Sequence, residues 1–281
     1  KSQEDIGYLW QAGKILSQSP YFDVSKQRKF SSSDTSKRYI RTHINNIELG
    51  FLPDMFSKST MGLLNTTDFN NVARIVNFIR GEDQLSMRSR KFRGQTERLG
   101  DFINSQPIVV AQPSENYHLL YGDSSYLAFY RQYRDRRRIV YIGGNDGLLH
   151  GFNAGWFDEI NQQHLTNKAD HAQWLLGQEI WAFVPFNLLP HLKYLSRKAY
   201  GKSASDHLFL MDQTPYVFDA QIFGEGQLEG QDDRDFVDAH GVKLNDVTHP
   251  NGWGTVMVVG FGRGGSVSEV VMNPTEQGGR D

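Results

Sequence analysis

The segment Arg138 to Ala154 restricts this chain more than any other stretch, because it spells out a β-hairpin together with its turn. Ile139-Val140-Tyr141-Ile142 on one side and Leu148 to Phe152 on the other are apolar, β-branched or aromatic runs, and Gly143-Gly144-Asn145-Asp146-Gly147 lies between them. Tight hairpin turns need positive φ, which Gly adopts freely and Asn and Asp tolerate, whereas bulkier residues resist it by about 1–2 kcal/mol. Gly143, Asn145, Asp146 and Gly147 are therefore the structural signature of the chain. The segment is expected as an antiparallel hairpin with its tip at 143–147.

Much of the remaining sequence can be read around that hairpin. In the first hundred residues the pattern is mixed and partly helical: Ile6, Leu9, Trp10, Gly13 and Leu16 keep helical spacing until Ser19-Pro20. After the Ser-rich stretch 31–36, Lys37 to Ile44 reads as a strand. Asp68 is a helix N-cap, Phe69, Val72, Ala73, Val76 and Ile79 form one apolar stripe, and Gly81 stops the helix. Beyond residue 100 the period shifts towards two. Pro107 to Ala111 and Tyr117 to Gly122 are expected to pair as strands around Pro113-Ser114-Glu115-Asn116. Tyr126, Phe129, Tyr130 and Tyr133 mark a helix capped by Asp123 or Ser124. Glu179 to Val184 is a strand ended by Pro185, followed by a helical insert through Leu188, Leu189, Leu192 and Leu195. Further strands are expected at His207 to Met211, Tyr216 to Phe223, Thr255 to Phe261 and Glu269 to Met272. The fold class is mainly β, with a mixed lead-in over 1–100 and a β-rich body with helical insertions over 101–281.

Composition removes several classes of chemistry. The chain has no cysteine, which excludes disulfides, thiol nucleophiles and Cys-ligated metals and suits an exported protein. Thirty basic against 32 acidic side chains give a net charge of -2, so no global field draws it to nucleic acid or anionic lipid. The two basic clusters, Arg88 to Arg93 and Arg131 to Arg138, are expected as solvated faces rather than a nucleic-acid surface, even with Tyr130 and Tyr133 beside the second. No apolar run reaches the roughly 18–20 residues of a membrane-spanning helix. The nine histidines show no His-x-His or His-Glu-x-x-His spacing, and no Gly-x-Ser-x-Gly elbow occurs. Gly260 to Ser266 is glycine-rich, but the strand-like Ser268 to Met272 after it favours a hairpin turn over a phosphate cradle. Arg80-Gly81-Glu82-Asp83 reads as a helix C-terminus. The acidic loop Gln231 to Asp238 supplies candidate calcium ligands in Asp233, Asp235 and Asp238, although the turn glycine is missing and Arg234 intrudes, which favours a solvated insertion. No enzyme activity and no cofactor are evident from these patterns.

A strand-turn-strand string of this kind also marks β-propeller blades. Arg138 to Ala154, followed by Gln178 to Leu192, resembles the β-propeller of the type IV pilus tip-associated assembly and adhesion proteins, the PilC/PilY family. Leu9 to Gly13, Val76 to Asp83, Arg88 to Arg93 and Leu99 to Pro107 resemble that family's lead-in, and Met211 to Pro215 and Gly252 to Gly265 its next hairpins. The resemblance implies a partial propeller over 101–281, three or four blades at most, in a piece of a longer polypeptide. It further implies an exported protein at the pilus tip, cell surface or outer membrane of a Gram-negative bacterium. That protein would support pilus assembly and retraction balance and mediate adhesion, with minor pilins and a host or abiotic surface as partners. The family's Asp-rich calcium loop lies in a later blade, so calcium belongs to the complete protein.

The rival from another class is a pyrroloquinoline-quinone dehydrogenase, whose blades carry a similar string but continue into a repeated Thr-Gly-x-x-x-Trp docking turn. Here Asn153-Ala154 leads into Gly155-Trp156-Phe157-Asp158, and the vicinal cysteine pair commonly used by those enzymes is impossible. Another propeller-type interaction module is the remaining alternative.

Overall fold

The computed structural model describes residues 9–18, 23–30, 32, 34, 36–45, 47–158, 160–169, 173–203, 206–223 and 249–265. Its regular elements begin with α1 (Ala12–Ser17), β1 (Ile40–Ile44), β2 (Ile47–Gly50), α2 (Phe69–Ile79), β3 (Lys91–Phe92), β4 (Gln95–Thr96) and β5 (Ile108–Val110). They continue with α3 (Tyr117–Leu120), α4 (Ser124–Tyr133), β6 (Ile139–Gly143), β7 (Leu149–Asn153), β8 (Trp156–Asp158) and β9 (Gln163–Leu165). The last are β10 (Glu179–Val184), α5 (Leu192–Leu195), β11 (Tyr216–Gln221) and β12 (Trp253–Val258). The chain is mainly β, built on a six-stranded mixed sheet ordered β2-β1-β10-β7-β6-β5.

Within that sheet, β5, β6, β7 and β10 form an antiparallel meander in chain order, and β1 lies against β10 in parallel, Ile40 opposite Ala182. The expected hairpin is present, with Gly143 opposite Leu149 and Ile139 opposite Asn153. β7 is buried throughout because both faces of the sheet are covered. On one face Ile40, Ile44, Ala182 and Val184 meet α2 through Val72, Ile75, Val76 and Ile79 in the main core. The other face presents Ile139, Tyr141, Leu149, Trp181 and Phe183 to a cleft of about 700 Å³, whose opposite wall includes Met257, Val259 and Phe261 from and after β12. Gly151 permits this packing: a Cβ there would stand 3.0 Å from the rings of both Tyr141 and Trp181, which pack edge to face across it at 5.6 Å.

Helix α2 begins and ends where its sequence signals place it. Asp68 caps it by accepting from the Asn70 amide at 2.9 Å, and Gly81 takes φ +107 just past its end. The buried stripe differs in detail, since Phe69 is exposed and Ile75 and Phe78 are buried. Helix α4 is capped by Asp123, which accepts from the Ser125 and Tyr126 amides. The expected strand at Tyr117 to Gly122 is instead the short helix α3. Asn116 enters it in the left-handed region at φ 55, and the Tyr117 ring packs on Tyr126 and Trp253 at 5.3 and 5.5 Å. β5 pairs with β6 rather than with that segment. His207 to Met211 also forms no strand; its Leu210 and Met211 are buried against the hairpin turn. Residues 253–258 form a strand that starts and stops before the expected Thr255 to Phe261. The Glu269 to Met272 segment lies outside the described residues, as does Ser266 at the end of the glycine-rich loop.

Candidate functional site

The four signature residues converge on the β6–β7 turn and tie it to two distant stretches of chain. The turn closes through Gly144 N–H to the Leu148 carbonyl (2.9 Å) and Gly147 N–H to the Gly144 carbonyl (3.1 Å). Of the signature residues only Gly147 has positive φ, +85, so the Asn and Asp are not there for left-handed backbone. Their side chains explain them. Asn145 Nδ2 donates to Asp101 Oδ2 at 3.0 Å, and its Oδ1 accepts from the Leu210 amide at 3.0 Å. Asp146 accepts from the Gly100 amide at 2.9 Å and from the Leu148 amide at 3.3 Å. Gly143 donates to Ser105 Oγ at 3.2 Å, and a Cβ at this position would lie 2.6 Å from the Met211 carbonyl oxygen. Residues 100–105 and 210–211 are thereby clamped onto the turn.

Behind the turn lies a buried charge network. His150 has no exposed surface; its Nδ1 stands 2.8 Å from Glu179 Oε1, and its Nε2 3.2 Å from both oxygens of Asp146. Burial alone would depress the His150 pKa, but Asp146 and then Glu179 override it and push it up to about 9. Burial likewise opposes ionisation of Glu179, yet Arg38 and His150 hold its carboxyl below the usual carboxylate range. Arg38 grips Glu179 bidentately, Nε to Oε2 and Nη2 to Oε1, both at 2.7 Å, and donates Nη1 to the Arg80 carbonyl at 2.8 Å. Asp146 is also kept below its ordinary value by His150 and the Gly100 amide, against the effect of burial. The chain Asp146–His150–Glu179–Arg38 is balanced in charge.

Arg80, from the Arg-Gly-Glu-Asp stretch, is wholly buried and donates to the carbonyls of Val24, Lys26, Arg38 and Phe51 and to Gln27 Oε1. All five of its N–H donors are used, so the buried cation is tolerated with no carboxylate bonded to it among the described residues. Burial lowers its pKa to about 9. The two basic clusters are not uniformly solvated faces. Arg90 is buried over the Phe78 ring at 4.2 Å, Arg137 stacks on Trp156 at 3.9 Å, and Arg136 donates to Thr255 Oγ1 at 2.9 Å. A second polar knot sits under α4, where Asp219 accepts from the Tyr126 hydroxyl (2.7 Å), Thr255 Oγ1 (2.8 Å) and the Ser114 amide (3.1 Å).

The candidate calcium ligands Asp233, Asp235 and Asp238 lie outside the described residues. Among the described residues no group of three or more His, Asp or Glu side chains is disposed to hold a metal, and no helix is long and apolar enough to cross a membrane. The residues that sequence reasoning missed are Arg38, His150 and Glu179. His150 carried one signal, a histidine among the apolar residues of a central strand.

The fold and site define a mainly β scaffold on an antiparallel meander, with its most constrained polar residues spent on holding strands and turns together. Sequence comparison then shows a likeness to particular proteins: the chain is similar to PilY1 proteins over about three quarters of its length. It is 29% identical over 214 residues to a type IV pilus biogenesis factor PilY1 homolog of Xylella fastidiosa, covering 75% of this chain and 13% of that protein. It is also 29% identical over 224 residues to the type IV pilus biogenesis factor PilY1 of Pseudomonas aeruginosa strain PAO1, covering 77% of this chain and 16% of that protein. The chain therefore spans about one sixth or less of the length of these relatives. No protein-family profile matches it, and no solved structure does.

Proposed function

We propose that this chain is part of a β-propeller in a protein of type IV pilus biogenesis, and that it works by presenting surface rather than by turnover. The observation that carries the pilus reading is the similarity to PilY1 proteins over about three quarters of the chain. The architecture is compatible with the propeller: β5, β6, β7 and β10 form a four-stranded antiparallel meander, the pattern a blade uses, and β11–β12 stand across the apolar cleft, where a following blade would begin. In this reading β1 and β2 extend the blade at its outer edge, and the protein acts at the cell exterior with minor pilins and an attachment surface as partners. Calcium, if used, is bound elsewhere in the complete protein or by the acidic loop.

An in-frame deletion in the source bacterium tests the proposal, scored for surface pili, twitching and attachment, with purified protein assayed for quinone-dependent oxidation. Loss or imbalance of pili with no oxidation is the expected result. Normal piliation and attachment together with dehydrogenase activity would transfer the chain to the quinoprotein class.

A further inference from the structure

Of the four buried arginines among the described residues, Arg38, Arg80 and Arg90 solve the same problem differently. Arg38 has a carboxylate, and Arg80 has five acceptors. Arg90, only 7% exposed, has neither: its one hydrogen bond among the described residues runs from Nη1 to the Glu97 carbonyl at 3.1 Å, and its Nε–H has no acceptor. Arg88 shares the Phe78 ring with it at 5.6 Å, packs over Tyr200 at 5.1 Å, and donates Nε to the Leu195 carbonyl at 3.0 Å. Among the described residues neither guanidinium forms an ion pair with a carboxylate.

Both arginines line a cavity of about 290 Å³ beside the β3–β4 hairpin and the tip of the β6–β7 turn, with Tyr200 on another wall. The acidic groups on its walls are already engaged or exposed. Asp146 is held by His150 and the Gly100 amide, Asp101 accepts from Asn145 Nδ2 and lies 2.8 Å from His207 Nε2, and Glu97 is an exposed residue. The Tyr200 hydroxyl accepts from the Leu208 amide at 3.2 Å and keeps its own proton to donate.

We propose that this cavity binds a compact oxyanion, a carboxylate or phosphate group, through Arg88, Arg90 and the Tyr200 hydroxyl. Guanidinium forks match both groups geometrically, and removal from water strengthens the contact. Asp101 and Asp146 act on Arg88 and Arg90 only at a distance, and a bound anion supplies the direct ion-pair contact that the two arginines lack among the described residues, over the ring faces of Phe78 and Tyr200. The inference stands independently of the pilus reading, because it rests on the unmatched arginines alone.

The test is titration of the full chain with inorganic phosphate and, separately, with an N-acetylated dipeptide bearing a free C-terminal carboxylate. It is read by calorimetry and thermal shift at about 20 mM ionic strength, where screening is weak. Saturable binding of either probe is expected, and which probe binds tells phosphate from carboxylate. Arg88→Gln, at a half-buried position, should weaken binding by about tenfold or more; Tyr200→Phe should weaken it less, with folding unchanged by circular dichroism. Arg93→Gln, on the exposed tip of the same hairpin, should leave it unaltered. Absence of saturable binding by the unsubstituted chain, or equal binding by Arg88→Gln, overturns the proposal whatever the deletion strain does.

Discussion

Raising the pH should unlock the network behind the hairpin turn, and the size of the effect follows from His150. Its ordinary pKa is 6.5 and in the folded chain it is pushed up to about 9, because Asp146 and Glu179 face its two ring nitrogens. A group whose folded pKa is raised stabilises the fold fully below its unfolded pKa and loses that contribution as pH climbs through the folded value. Between pH 6.5 and 9 the folded chain holds one more proton than the unfolded chain, so stability falls by up to about 1.4 kcal/mol per pH unit and by about 3 kcal/mol in all. Asp146 and Glu179 stay ionised throughout, being held below the carboxylate range. The deprotonated ring can donate from only one nitrogen, so one carboxylate is left facing a lone pair. Urea unfolding from pH 6 to 10, followed by tryptophan fluorescence on the unsubstituted chain and on His150→Gln, isolates this term from lysine and tyrosine titration. Parallel stability curves for the two proteins between pH 6.5 and 9 would refute the reasoning. So would an NMR titration midpoint for the His150 ring at or below 6.5.

Glu179→Gln removes the countercharge of a fully buried Arg38 and should cost about 3–5 kcal/mol in urea unfolding. Gly147→Val forces a β-branched residue to φ +85 with its Cβ 2.8 Å from Leu192 Cδ2; it should cost more than about 1–2 kcal/mol, and Gly147→Asn should cost less. His191 is buried with neither ring nitrogen hydrogen-bonded among the described residues and its pKa lowered to about 4 by burial; His191→Leu should raise stability by about 1 kcal/mol, and a lowered thermal midpoint would count against this account.

What could be read from the sequence was local. The hairpin and α2 were legible because their determinants lie within a few residues of each other: a Gly in the positive-φ place, an Asp before an apolar stripe, a Gly after it. The roles of Asn145 and Asp146 were not, since composition points to backbone conformation while the structure spends both side chains on residues 100, 101 and 210. Tyr117 to Leu120 has strand composition, yet aromatic packing on Tyr126 and Trp253 takes it into a helix. Arg38 and Glu179 stand 141 positions apart, and nothing near either residue announces the other. Arg90 sits in an ordinary basic run, and only the fold distinguishes it from its exposed neighbours Lys91 and Arg93.

The parallel pairing of β1 with β10 sets an order of events for a chain made from its N-terminus. Ile40 has no strand partner on that side until Ala182 exists, and at roughly 5–20 residues per second the wait is about 7–30 s. During that interval α2 is already available to cover Ile40 and Ile44, but the guanidinium of Arg38 lacks Glu179 and the β1 edge stays open to unrelated chains. The late arrival of Glu179 to Val184 therefore completes two things in one step: it covers that edge and neutralises Arg38.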